Sequence, residues 1–185
     1  MGWYRALTRR DFIRLAAAAA AVGGTISCSK PEVPWRFLRV GEARTLAAMC
    51  EQLIPTDETP GAAWAGVVNF VDIQLCGPYR KFRGSYRQGL AALERVSISQ
   101  FSRGFAKLES DQQTLLMRSM EQGVLAESSW PSDAQKSFFG MVLEHTTRGF
   151  YGDPRHGGNR DRISWRMVGL SYPQVRGQQR YVSQS

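Results

Sequence analysis

The chain has 185 residues, a formal net charge of +8 and 43% hydrophobic residues, length and apolar content enough for one core that is stable alone. Its basic residues are scattered, with no run of Lys or Arg and no recognisable nucleic-acid motif, which excludes nucleic acid as the expected partner. Arg5, Arg9, Arg10 and Arg14 against Asp11 account for three of the positive charges, so about +5 is left on the remainder. That surplus reads as a soluble basic surface, with attraction to an acidic partner as the sharper alternative.

At the start, Thr8-Arg9-Arg10-Asp11-Phe12-Ile13-Arg14 runs into Leu15, six alanines and Val22. Paired arginines and Phe12 ahead of a weakly apolar stretch read as a twin-arginine export signal, which addresses the working protein to the periplasm. Folded export usually serves a bound cofactor, yet nothing downstream has the pattern of a cofactor site. The economical reading is a partner that travels folded with this chain. The apolar segment 15–26 is about a dozen residues, short of the roughly twenty that span a bilayer. It ends in Ser27-Cys28, which resembles a lipoprotein processing site and makes Cys28 a candidate lipidation position. Two acyl chains, at roughly 0.8 kcal/mol per buried methylene, would anchor the chain firmly. Simple cleavage near Ser27 and retention of the uncleaved segment are the alternatives.

Residues 1–28 are thus expected as signal, 29–40, with Pro31 and Pro34, as a tether, and 41–148 as a helical domain. In that domain Leu46, Ala47, Met49, Cys50, Leu53 and Ile54 recur at three- and four-residue spacing over 42–54, and Pro55 ends the run. Over 62–75, Trp64, Val67, Val68, Phe70, Val71 and Ile73 are dense enough for a central helix buried on more than one side. A third, more polar helix over about 79–98 carries the stripe Phe82, Tyr86, Leu90, Leu93 and Val96. Ser110 with Gln113, and Ser132 with Gln135, read as capping boxes opening helices at 111–122 and 133–147. No segment alternates with period two. The expected fold is therefore all-α, about five helices on a single core. Cys50 and Cys76 fall near the ends of the first two helices. In an antiparallel hairpin, Cys76 would lie roughly 20 Å of helix from the turn, whereas a disulfide needs Cα atoms within about 7 Å. Two buried thiols are favoured over a bridge.

Residues 149–185 differ in kind, an irregular glycine- and aromatic-rich segment followed by a polar tail. Gly149-Phe150-Tyr151-Gly152-Asp153-Pro154-Arg155-His156-Gly157-Gly158-Asn159-Arg160-Asp161, with Trp165 soon after, reads as a shaped surface loop. With Leu46 to Asp57, Pro60-Gly61-Ala62 and the twin-arginine start, this block resembles the gluconate 2-dehydrogenase subunit 3 family, in that order and spacing. The family comprises the small subunits of membrane-associated, flavin-dependent sugar and sugar-acid dehydrogenases. The resemblance implies a non-catalytic subunit bound to a large FAD-dependent dehydrogenase, often with a cytochrome c subunit accepting the electrons. It also implies that the small subunit bears the signal for the twin-arginine machinery and escorts the large one. Cys28 departs from the family pattern, and residues 99–107 match no part of it.

No catalytic, metal-binding or cofactor-binding residue is expected in this chain. There is no Cys-x-x-Cys-His for covalent haem and no Gly-x-Gly-x-x-Gly after a strand. His145, near the end of the fifth predicted helix, suits a cap or core role, where a cationic ring would favour the helix dipole. His156 lies beside Asp153, Asn159 and Asp161, but the spacing fits no calcium loop or zinc site. The loop makes better sense as a docking element. Phe150, Tyr151 and Trp165 are hot-spot residue types, Arg155 and Arg160 are suited to forked bonds with partner carboxylates, and Asp153, Pro154 and Asn159 shape the turn. Aromatics covering the chain's own helix ends are the plainer account of the same residues. The competing functional reading is an independent periplasmic lipoprotein, a hydrolase using Asp153 and His156.

Overall fold

The computed structural model describes residues 35–170. The expected export residues Arg9, Arg10 and Phe12, the candidate lipidation site Cys28 and the polar tail lie outside the described residues. Among those described there is no strand. Five helices, α1 Val40–Leu53, α2 Val67–Leu75, α3 Arg83–Phe101, α4 Ser110–Gln122 and α5 Ser132–Tyr151, share one apolar core, and a short sixth, α6 Ile163–Met167, follows. No helix among the described residues is long and apolar enough to cross a membrane.

Helix α1 forms where its stripe predicts it, burying Ala43, Leu46, Met49 and Cys50, and the Glu42 carboxylate accepts the Arg39 amide at its start. Both α1 and α5 touch all four other long helices, so these two, rather than α2 alone, are the hub of the packing. Helix α2 does bury Val67, Val68, Phe70, Val71 and Leu75 around its circumference. It begins five residues later than its apolar pattern suggests, because Gly66, at φ +79°, stops a turn running from Gly61. A left-handed residue breaks the helical ladder, and glycine adopts it without steric cost.

Of the two expected capping boxes, the first forms one residue earlier and the second does not form, each for a physical reason. The side chain of Gln112, not Gln113, accepts the Glu109 amide at the start of α4. Gln113 is buried and donates instead to the carbonyl of Phe105. Helix α5 starts after Pro131, and Gln135, only 2% exposed, accepts from the Leu125 amide while donating to the carbonyls of Leu125 and Trp130. Both glutamines brace loops rather than helix ends. The segment 99–107 is held the same way: Ser102 ends α3 in the left-handed region, and Glu94 accepts from the Phe105 amide and the Thr45 hydroxyl.

Residues 35–40, expected within a tether, belong to the folded body. The buried carboxylate of Asp72, in the middle of α2, accepts the backbone amides of Arg36, Phe37 and Leu38 at 2.6, 2.9 and 2.8 Å. Leu38 enters the core, while Arg83 and Arg87 lie over the Phe37 ring at 4.9 and 4.3 Å. Arg87 also donates to the Phe37 carbonyl and pairs with Glu42. Replacing Asp72 with Ala strands three amides and should lower unfolding stability by on the order of 3 kcal/mol, with Asp72→Asn costing less. A urea midpoint unchanged in Asp72→Ala would contradict this account.

Candidate docking surface

The loop after α5 is built on backbone contact. Gly158 lies so close to α5 that a Cβ there would sit 2.1 Å from the Gly149 carbonyl oxygen, and one on Gly149 would sit 2.8 Å from the Phe70 ring. Only glycine permits that approach. Gly157, at φ +97°, accepts from the Asn69 side chain of α2 at 2.8 Å, and the Arg160 amide donates to the Ala65 carbonyl at 3.0 Å. The Gly157 amide donates to the Pro154 carbonyl and so closes a turn.

Asn159 clamps the two ends of this loop. Fully buried and left-handed at φ 44°, it donates from Nδ2 to the Gly152 carbonyl at 2.8 Å and accepts at Oδ1 from the Ser164 amide at 3.1 Å. Trp165 is also buried and donates from its indole to the Tyr151 carbonyl at 2.9 Å. Asp153 caps the turn Pro154–His156 through the Arg155 amide, and its Oδ2 takes a fork from Arg155 Nε and Nη2 at 3.0 and 2.6 Å. That fork is the first cause holding the Asp153 carboxyl below the usual carboxylate range.

The structure therefore divides the expected docking residues. Phe150 is 0% exposed because it continues the buried α5 stripe of Val142, Thr146 and Gly149, so it is core and not a contact residue. Asn159 and Trp165 likewise face inward and shape the loop. Arg155 uses its fork on Asp153 within the chain. Tyr151 and Arg160 are outside, and Pro154 and Asp153 are half-buried. The indole of Trp64, expected inside a helix, lies beyond the start of α2 at 39% exposure with the Arg160 guanidinium 5.5 Å over its ring. Met167, Val168 and Leu170, at and just after the end of α6, are exposed too, and no sequence signal marked them.

His156 lines a shallow cavity of about 420 Å³ with Phe70, Gln74, Pro78, Tyr79, Arg148, Tyr151 and Gly152. The Asp153 carboxylate hydrogen-bonds Arg155, so the proposed Asp153 and His156 pairing is not what the loop assembles. Among the described residues no three His, Cys, Asp or Glu side chains gather into a group that could hold a metal ion.

The matched span settles the family. A family model for gluconate 2-dehydrogenase subunit 3 matches residues 41–171. The chain belongs to the gluconate 2-dehydrogenase subunit 3 family. The match takes in every long helix and the whole clamped loop, so the family pattern covers the structured body. The name of subunit 3 denotes one subunit of a multi-subunit dehydrogenase. No curated protein and no solved structure is significantly similar to the chain.

His145, Tyr86 and Cys50, groups that chemistry readily uses, are buried in the core. His145 is 2% exposed and stacked on Tyr79 with ring centroids 4.0 Å apart. Burial pushes its imidazole down to about 4, so it is neutral at pH 7 and a core residue rather than a cationic helix end. Burial also raises Tyr86 well above the ordinary tyrosine value. The neutral Tyr86 hydroxyl shares a hydrogen bond of 3.0 Å with Nδ1 of His145. Cys50 is paired with the Thr146 hydroxyl at 3.2 Å, and burial pushes its thiol up to about 12. Cys50 and Cys76 are both free, the first buried and the second only partly so.

Two outcomes follow from this geometry. Above the ordinary value of 6.5, folded and unfolded His145 are both neutral and the stability is complete; below it the unfolded chain takes a proton that the folded ring refuses until about pH 4. Stability should fall over that window by on the order of 2 kcal/mol after solvent screening. His145→Gln, whose amide offers Tyr86 both a donor and an acceptor, should flatten the dependence in pH-resolved urea unfolding. Asn159→Ala should cost on the order of 3 kcal/mol through two orphaned backbone groups and a left-handed alanine. Limited proteolysis should then cut preferentially within 152–164, and an unchanged digestion pattern would contradict the clamp.

Proposed function

We propose that this chain is the non-catalytic small subunit of a periplasmic, membrane-associated, flavin-dependent dehydrogenase acting on a sugar, sugar acid or polyol. In this reading it binds the large FAD-dependent subunit and escorts it, folded, through the twin-arginine machinery. A cytochrome c subunit accepts the electrons where one is present, and Cys28 lipidation or peripheral contact holds the complex at the membrane. The family match over residues 41–171 carries the proposal. The motif around Arg9 and Arg10 supports the export role, since a carrier with its own address explains how a flavin-loaded partner crosses the membrane already folded.

Replacing Arg9 and Arg10 together with Lys should strand both proteins in the cytoplasm, with periplasmic dehydrogenase activity reduced at least tenfold in fractionated cells. Normal export of the dehydrogenase in that variant would reject the escort role. Dehydrogenase purified without any trace of this chain, fully active and membrane-bound, would reject the subunit role.

A further inference from the structure

We propose that the catalytic subunit docks on the end of the body formed by Trp64, the turn at Arg160 and α6, and that its matching surface is acidic around an apolar hollow. This rests on the small-subunit reading above. The described body exposes ten large hydrophobic side chains, and their distribution is uneven. Val40, Ile98, Leu115, Val124 and Leu143 are scattered over five separate elements. Trp64, Tyr151, Met167, Val168 and Leu170, at 39, 47, 45, 60 and 62% exposure, are tied to one assembly. The Arg160 guanidinium covers the Trp64 ring, and the Arg160 amide is bonded to Ala65 next to it. Trp165 links Tyr151 to α6, whose following residues are Met167, Val168 and Leu170. Single exposed apolar residues are ordinary, whereas a cluster marks an interaction site.

The charge around this cluster gives the partner its sign. Arg148 pairs with Glu144 and Arg155 with Asp153, and residues 156–170 carry Arg160, Arg162 and Arg166 against Asp161, a net positive charge. An excess of arginine beside exposed Trp, Tyr and Met is the composition of protein interfaces, where planar guanidinium groups meet carboxylates. An anionic lipid surface fits less well. The interleaved carboxylates would repel it, and α6, at five residues, is too short to lie in a membrane as an amphipathic helix. The surface is also ordered in advance, because Asn159 and the glycine contacts set the loop, so little conformational freedom is lost on docking.

The test uses the full chain, affinity-tagged in its own cell, with a photo-crosslinking phenylalanine analogue at position 64 or 168, or at 115 as control. The expected result is a cross-link from 64 and 168, and none from 115, to a polypeptide with the flavin absorption band. Val168→Asp and Arg160→Glu should each lower the captured flavoprotein at least tenfold, while Leu115→Asp leaves it unchanged and all variants keep the wild-type circular dichroism. Flavoprotein captured equally by every variant would overturn the docking face while leaving the small-subunit reading intact. Failure of the wild-type chain to capture any flavoprotein would overturn both. Cross-links to a second copy, cross-links within the chain, or Val168-dependent flotation with phosphatidylglycerol vesicles would each assign the face to another occupant and overturn the proposal.

Discussion

Most irregular stretches of the described body are held by a polar side chain bonded to loop backbone, and the compact connections between helices depend on that device. Asp72 holds 36–38, Glu51 the amides of Thr56 and Ala63, Glu94 the amide of Phe105, Gln135 the backbone of Leu125 and Trp130, and Asn159 the two ends of the last loop. A loop laid on an apolar core must find partners for its amides and carbonyls, or lose more than the apolar contacts return. One carboxylate or amide per loop meets that need. The helices can then remain short and the connections compact, with the apolar stripes free to face one another.

The loop between α5 and α6 adds a steric requirement to the polar one. Its backbone lies directly on α5 because neither Gly149 nor Gly158 has a Cβ. Three nearby residues that are not glycine, Asn159, Asp161 and Arg162, take left-handed conformations. Such conformations are uncommon for residues with side chains and persist where surrounding contacts determine them. Here the determining contacts are the Asn159 clamp, the indole bond to Tyr151 and the amide bond from Arg160 to Ala65. They turn Trp165 inward and leave Trp64, Tyr151 and the end of α6 outward.

The helices were legible in the sequence because period 3.6 reports which face is buried, and the five expected runs each became a helix. The ends were less legible. Ser110 with Gln113 has the spacing of a capping box, but a side-chain amide inside the core gains more by satisfying a buried carbonyl than by closing an exposed helix end. Phe150 looked like a contact residue because it is an aromatic of the hot-spot type in a glycine-rich stretch. Its distance of four residues from Thr146 and eight from Val142 marked it as the last rung of the α5 stripe. Trp64 is the opposite case: its apolar neighbours suggested burial, yet Gly66 ends their shared periodicity before the helix begins. Nothing local distinguishes Val168 or Leu170 from core residues, since their exposure is a property of the assembled loop.

The seat of Phe37 and Leu38 on Asp72 also decides where a pull on the start of the helical body is borne. Three hydrogen bonds at the middle of α2 carry it, so the force enters the core between helices rather than unwinding α1 from its first turn.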